Sequence, residues 1–401
     1  MVEEWSKKIC VRHNQGIPEP IYTAVRRTSF RFVSASALLA ELFLITKIYL
    51  LFSNENNPYI QPKIASMPFK QVILFFLCFI TITATNAQTT DSTYAERLGF
   101  PKDAKVVILH IDDAGMSWDS NEGVITALTK GAANSTSVMM PCPWVPAFVH
   151  FLKEHPQTDA GLHLTLTSEW IGYRWVPLAG KAAVPGLTDK EGDLWPSVQE
   201  VVQHASPEEV YTEIKAQLDR ATAMGFTPTH LDSHMGTLFG SPAFLQQYAR
   251  LGMENHIPVM LPGGRDKLIQ DEMHAPDATV QGLRQAGKTL WDAGLPVLDD
   301  LHNYSYDWKV PDDIQNDDKK LQAWRTQKYI ASFKELQPGI TMVIMHCTAP
   351  SEVFQHISDS GPLRKADMLA MIDPAFKQAL SDQHIVLTTW RELMQRREKV
   401  R

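Results

Sequence analysis

The chain has 401 residues, 44% of them apolar, so it is long enough to bury at least one full core. Its 38 Lys and Arg stand against 45 Asp and Glu, a net charge of −7 at neutral pH, which argues against nucleic acid as a partner. Four cysteines in this length imply no disulfide framework.

In chain order, the first segment does not read as a domain. Residues 67 to 87, MPFKQVILFFLCFITITATNA, join a basic Lys70 to an apolar run from Val72 to Thr83, with Thr85 and Ala87 where a signal peptidase favours them. This predicts a secretory signal that begins at an internal methionine, is cleaved near Ala87 and exports the protein to the periplasm or the exterior. Cys78 lacks the small residues that precede a lipidated cysteine, so a lipid anchor is not expected. Residues 1 to 66 then read as an extension from a start codon set too far upstream. The rival reading is a membrane-anchored N-terminus, for which the stretch Leu38 to Phe52 is poor because Glu41 and Lys47 interrupt it.

What remains, 88 to 401, is one expected domain of 314 residues with no stable membrane insertion. The first 87 residues take nine basic and five acidic side chains with them, leaving 29 against 40 and a charge of −11. Only Cys142 and Cys347 stay in this part.

Short β-branched or apolar runs then alternate with helix-length segments, the pattern of a parallel β/α architecture. Strands are expected at 105–111, 135–140, 159–166, 229–234, 257–261, 296–302, 340–346 and 384–390, with helices such as 207–224 and 242–255 between them. Pro207 and two acids in the first turn mark the start of the former. Eight strands fit a single (β/α) barrel, with a doubly wound open sheet as the alternative. The segment from Ser168 to Ser206, rich in Trp, Gly and Pro, fits neither element and is expected to be a large loop after the third strand.

Chemistry in such architectures collects at the C-terminal strand ends. Those ends carry Asp112 and Asp113, then His163, then Asp232 and His234, then His346. A lone His at a strand end is usually a satisfied structural residue, and Asp-Asp is ordinary turn chemistry, but their joint occurrence on one rim points to a divalent cation. Two imidazoles and one carboxylate make a facial ligand set with an open position for water. A second carboxylate, kept anionic by the same ion, is left to act as general base. Ala114 and Gly115 would let the chain turn sharply away beneath the ion.

The segments HIDDAG, NSTSVMM, GLHLTLT, PTHLDSH and IMH, in that order, resemble the YdjC/ChbG-like (ChbG/HpnK) carbohydrate deacetylases from about Ala104 to Leu393. The resemblance implies a (β/α) barrel of the glycoside hydrolase/deacetylase type, a distorted TIM barrel, that removes acetyl groups from N-acetylated oligosaccharides. It implies Asp113, His163 and His234 as metal ligands, Asp112 as the base and His346 as the acid that protonates the leaving amine. His230 and Asp232 share strand parity with His234 and would line the site or orient a ligand. The family favours Mg²⁺, while two imidazoles with a carboxylate also suit Zn²⁺. Where the family has an aromatic after the Asp pair this chain has Ala114. Where it has a His-rich stretch after the DSH this chain has Met235, Gly236 and Thr237, and its late His-Pro-Gly is His346, Cys347, Thr348. These departures leave the ligand set whole and bear on the substrate. Hydrolysis of another acyl group on a glycan, or glycan binding without catalysis, are therefore the rival readings. Trp144, Trp170, Tyr173, Trp175, Trp195, Phe239 and Trp308 are expected in rim loops, either to stack on sugar rings or to fill the core.

Overall fold

The structure is a computed structural model that describes residues 92–400. The expected signal segment, its cleavage site and the upstream extension lie outside the described residues.

β1 (Lys105–Ala114) is the hub of the sheet, and its apolar run is buried along almost its whole length, as a strand flanked on both sides requires. It pairs in parallel with β6 (Gly339–Met345) from Lys105↔Gly339 to Ile111↔Met345. On the opposite side its start meets β7 (Ile385–Leu387) and its end meets β2 (Ser135–Val138). With β3 (Ala160–Leu164), β4 (Leu231–Ser233) and β5 (Asp300–His302), the described residues form one seven-stranded parallel sheet of order β4-β3-β2-β1-β6-β5. Later strands do not extend outward from β1 in sequence, as a doubly wound sheet would have them. β6 lies beside β1 and β5 outside it, the order of a ring cut open between β4 and β5, so the fold is an α/β parallel half-barrel.

The expected eight strands become seven for a physical reason. Pro258 and Pro262 have no N–H to give a ladder, so 257–261 makes only the bridge Leu231↔Val259, while Pro262↔Leu298 makes another toward β5. The last strand lies against the start of β1 instead of between β6 and β1.

Helices leave the strands with ordinary start signals. Ser206 and Glu209 form a reciprocal capping box on Pro207–Ala223, and Ser241 caps Pro242–Asn255. The segment after β3 is largely irregular, with only the turn Pro185–Leu187 and the helix Val198–His204. Buried Glu213 ties it down by accepting the amides of Leu178 at 3.1 Å and Ala179 at 2.8 Å. Cys142 and Cys347 are buried free thiols, and burial pushes both well above the ordinary thiol value. Among the described residues no helix is long and apolar enough to cross a membrane. Because all strands run in parallel, every C-terminal end opens on one rim.

Candidate metal centre

Adjacent residues of a regular strand face opposite sides, so Asp112 and Asp113 could not both reach one pocket from an unbroken β1. The β1–β2 register shifts between Ile111 and Ala114, and Asp113 sits at that irregularity with φ of 68°. This left-handed residue, which Asp tolerates better than most, brings both carboxylates to the same imidazole. His163 Nε2 lies 3.4 Å from Asp113 Oδ1 and 3.8 Å from Asp112 Oδ2. The turn therefore begins one residue before the expected Ala114 and Gly115. Gly115 has its own constraint, since a Cβ there would meet Val145 Cγ2 at 2.7 Å.

His163 and Asp232 are register partners on β3 and β4. His234 follows β4 in a tight turn where Met235 and Gly236 adopt φ of 55° and 63°. It brings His234 Nδ1 to 3.5 Å from Asp113 Oδ1. Asp113 Oδ1, His163 Nε2 and His234 Nδ1 are thus close enough to share a cation. Asp113 Oδ1 is buried with no hydrogen-bond partner, an orphaned oxygen that a cation satisfies. Ligand atoms of a tetrahedral ion bound at 2.0–2.1 Å stand about 3.3 Å apart, so this set fits.

Each imidazole of the set spends its other nitrogen on a carboxylate. His163 Nδ1 is 2.7 Å from Asp232 Oδ1, and His234 Nε2 is 3.1 Å from both oxygens of Glu169. Burial alone would lower both imidazoles, but Asp112 and Asp232 raise His163, and Glu169 and Asp113 take His234 up to about 10. A pocket this anionic favours a cation in the proton's place. Burial would raise Asp113, but the Arg364 guanidinium, whose Nη1 donates to Asp113 Oδ2 at 2.5 Å, holds it well below the usual carboxylate range, helped by His234.

His346 follows β6 with Nε2 3.9 Å from Asp112 Oδ2. Its backbone N–H donates to Asp367 Oδ2 at 3.0 Å, and Asp367 Oδ1 accepts from buried Arg325 at 2.7 Å and Tyr329 at 2.6 Å. Burial, then the charge of Arg364, lowers His346 below its ordinary value.

Of the remaining residues singled out in the sequence, Asp232 joins the group directly, while His230 stands behind it with its ring stacked on Trp390. Trp175 is buried with its ring 6.4 Å from His234. Trp170 and Tyr173 pack around Trp175, and Trp144 is exposed beside Trp118. Trp195 stacks on His204, Phe239 packs on Tyr248 and Trp308 on Tyr329, so those three rings fill structure. Four site residues were not anticipated: His110, Glu169, Arg364 and Tyr306, whose ring is 4.8 Å from His346. His110 Nε2 lies 2.9 Å from Asp232 and 3.2 Å from Asp112. Burial would lower it, but those two carboxylates outweigh burial and raise it to about 9. Its position two residues before Asp112 on one strand was the available signal.

Residues 106–382 match a protein family described as YdjC-like protein. A carbohydrate deacetylase from Thermus thermophilus is 28% identical over 296 residues, 74% of this chain and 96% of that protein. A carbohydrate deacetylase from Brevibacillus brevis is 34% identical over 213 residues, 50% of this chain and 81% of that protein. Among solved structures, one titled as a cellobiose-phosphate cleavage protein from Enterococcus faecalis superposes with a TM-score of 0.59 at 19% identity, covering 72% of this chain and 99% of its own. That likeness bears on the fold alone.

Proposed function

The chain belongs to the YdjC-like protein family, and from that premise we propose that it is an exported metal-dependent hydrolase that removes acetyl groups from N-acetylated sugars. Relatives named carbohydrate deacetylases support the reaction class, hydrolysis of a carbon–nitrogen bond outside peptides. The observation that carries the reading is the orphaned Asp113 Oδ1 facing His163 Nε2 and His234 Nδ1 at 3.4 and 3.5 Å, with Asp112 alongside. The sheet order and its two bridges support a distorted barrel around this rim. Export rests on the signal-like segment 67–87, and the N-terminal residue of native protein tests it.

Asp113, His163 and His234 would hold a divalent ion, which would supply Lewis acidity to the acyl carbonyl and to water. Two imidazoles and a carboxylate suit Zn²⁺, and the family pattern suits Mg²⁺. Asp232 and Glu169 keep the two imidazoles in the tautomers that present a lone pair. Asp112 Oδ2 takes the proton of the attacking water. His346, 3.9 Å away, hands a proton to the leaving nitrogen. Since burial and Arg364 favour its neutral form, the proton it delivers is the one received from Asp112.

Acetate release from N-acetylglucosamine oligomers, measured before and after chelation and with single metals restored, tests this reading. Metal-dependent release is expected. No release from N-acetylated sugars, with release from O-acetylated ones, would select hydrolysis of a different acyl group.

A further inference from the structure

We propose a second cation site, behind the first, formed by His110 Nε2, His230 Nε2 and Asp232 Oδ2, and suited to a zinc-type divalent ion. The three atoms lie within 4.8 Å of one another. His110 and His230 are 0% exposed and Asp232 is 1% exposed, so water from outside cannot serve them. Asp232 Oδ2 is 2.9 Å from His110 Nε2 and 3.8 Å from His230 Nε2, spanning the separation expected of neighbouring ligands on one ion. His230 Nε2 lacks a hydrogen-bond partner, a costly state for a buried ring nitrogen, and Asp232 Oδ2 has His110 Nε2 as its near neighbour.

The polarity of His110 sharpens the argument. Ser135 Oγ donates its hydrogen to Asp159 Oδ2 at 2.8 Å, so toward His110 Nδ1, 2.9 Å away, it accepts. Nδ1 therefore donates to Ser135 Oγ, which leaves Nε2 as the atom that faces the carboxylates. Nε2 stands 2.9 Å from Asp232 Oδ2, 3.2 Å from Asp112 Oδ1 and 3.1 Å from Ser137 Oγ, so in the metal-free chain a proton there bridges the carboxylates, and a divalent ion would take that proton's place. With Asp112 buried beside Asp232, two carboxylates stand ready to balance a divalent ion.

The rings are held for this use. His230 stacks on Trp390 at 5.2 Å, meets His110 edge-on at 4.9 Å, and has Thr229 Oγ1 3.0 Å from its Nδ1. Space for it comes from Gly161, where a Cβ would lie 2.6 Å from the His230 ring. Two imidazoles and a carboxylate in a buried pocket select zinc over magnesium, which keeps oxygen ligands and water. Asp232 would then hold one ion through Oδ2 while steadying the first ion's ligand His163 through Oδ1. The proposal shares Asp232 with the reading of the first site but not its reaction.

The test is zinc stoichiometry after metal-free protein is saturated with Zn²⁺ alone and freed of excess, with anomalous diffraction to locate the ions. Two ions are expected in the wild type, one in His230→Asn and one in the double variant Asp113→Asn, His234→Asn. A single ion in the wild type, kept by His230→Asn and lost by the double variant, would overturn the second site and leave the first standing. No bound zinc in the wild type would overturn both. If His230→Asn fails to fold, the wild-type count and the ion retained by the double variant decide the matter.

Discussion

Asp232 Oδ1 lies 2.7 Å from His163 Nδ1, straight across the β3–β4 ladder in which the two residues are register partners. That contact fixes which nitrogen of His163 is free to face Asp113. Asp232→Asn should therefore lower affinity at the Asp113, His163 and His234 site by about 10- to 100-fold while leaving those three ligands intact, and should remove a ligand from the second site. Competition against a chromogenic chelator measures this, and unchanged affinity would remove Asp232 from the role.

Asp112 and the imidazoles should separate cleanly in their effects. Asp112→Asn should retain the ion and lose about 10²- to 10⁴-fold in turnover, the usual worth of a general base. His163→Ala should lose both. Metal content beside acetate release reads the two effects, and near-normal turnover in Asp112→Asn would assign the base elsewhere.

Arg364 and Asp113 form a buried pair, 4% and 1% exposed. Removing one partner strands the other charge, so Arg364→Met should cost about 3–5 kcal/mol of stability in the metal-free protein. Adding Asp113→Asn should restore most of that loss. Urea unfolding of the two single variants and the double variant gives the coupling, and simple additivity would contradict the pairing.

Asp266 predicts a pH effect away from the metal centre. Burial, with the nearby charge of Asp300, raises its carboxyl to about 7, outweighing Arg284, whose Nε lies 3.5 Å from Oδ2. The folded chain therefore holds a proton that the unfolded chain has already released. Stability from this group is full below the ordinary carboxylate value and is lost as pH rises toward 7, with a slope of about 1.4 kcal/mol per pH unit. Asp266→Asn should flatten that slope, and Asn accepts the left-handed φ of 55° found there. Urea midpoints from pH 4 to 8 for both proteins test it, and parallel curves would refute it.

The legible parts of this molecule were those with a local sign. Asp113, His163 and His234 lie in or just after expected strands, so strand direction put them on one rim, while the resemblance singled them out among the rim residues as the ligand set. His110 hid inside the run VVILHID, where period-two parity with Asp112 was its only trace. Glu169 and Arg364 gave no local sign, since one lies in an irregular loop and the other is 251 residues from Asp113. The register shift at Asp113 was equally hidden, because a left-handed Asp reads like any other Asp. In the fold, hydrophobic runs located the strands, but Pro258 and Pro262 reduced one expected strand to a bridge and tertiary pairing moved the last strand beside the start of β1.

The helix Gly361–Met371 reaches the site twice, through Arg364 to Asp113 and through Asp367 to the amide of His346. Its late place in the chain sets an order of assembly. A chain emerging from its N-terminus presents Asp112, Asp113, His163 and His234 long before residue 364 exists, and closing so long a loop is slow. Until that helix docks, two neighbouring carboxylates repel with no guanidinium to quiet them, and the ligands cannot settle into one geometry. Ion uptake during refolding should therefore wait for that helix to dock. A chain cut before residue 361 would keep every proposed ligand and still fail to hold the ion.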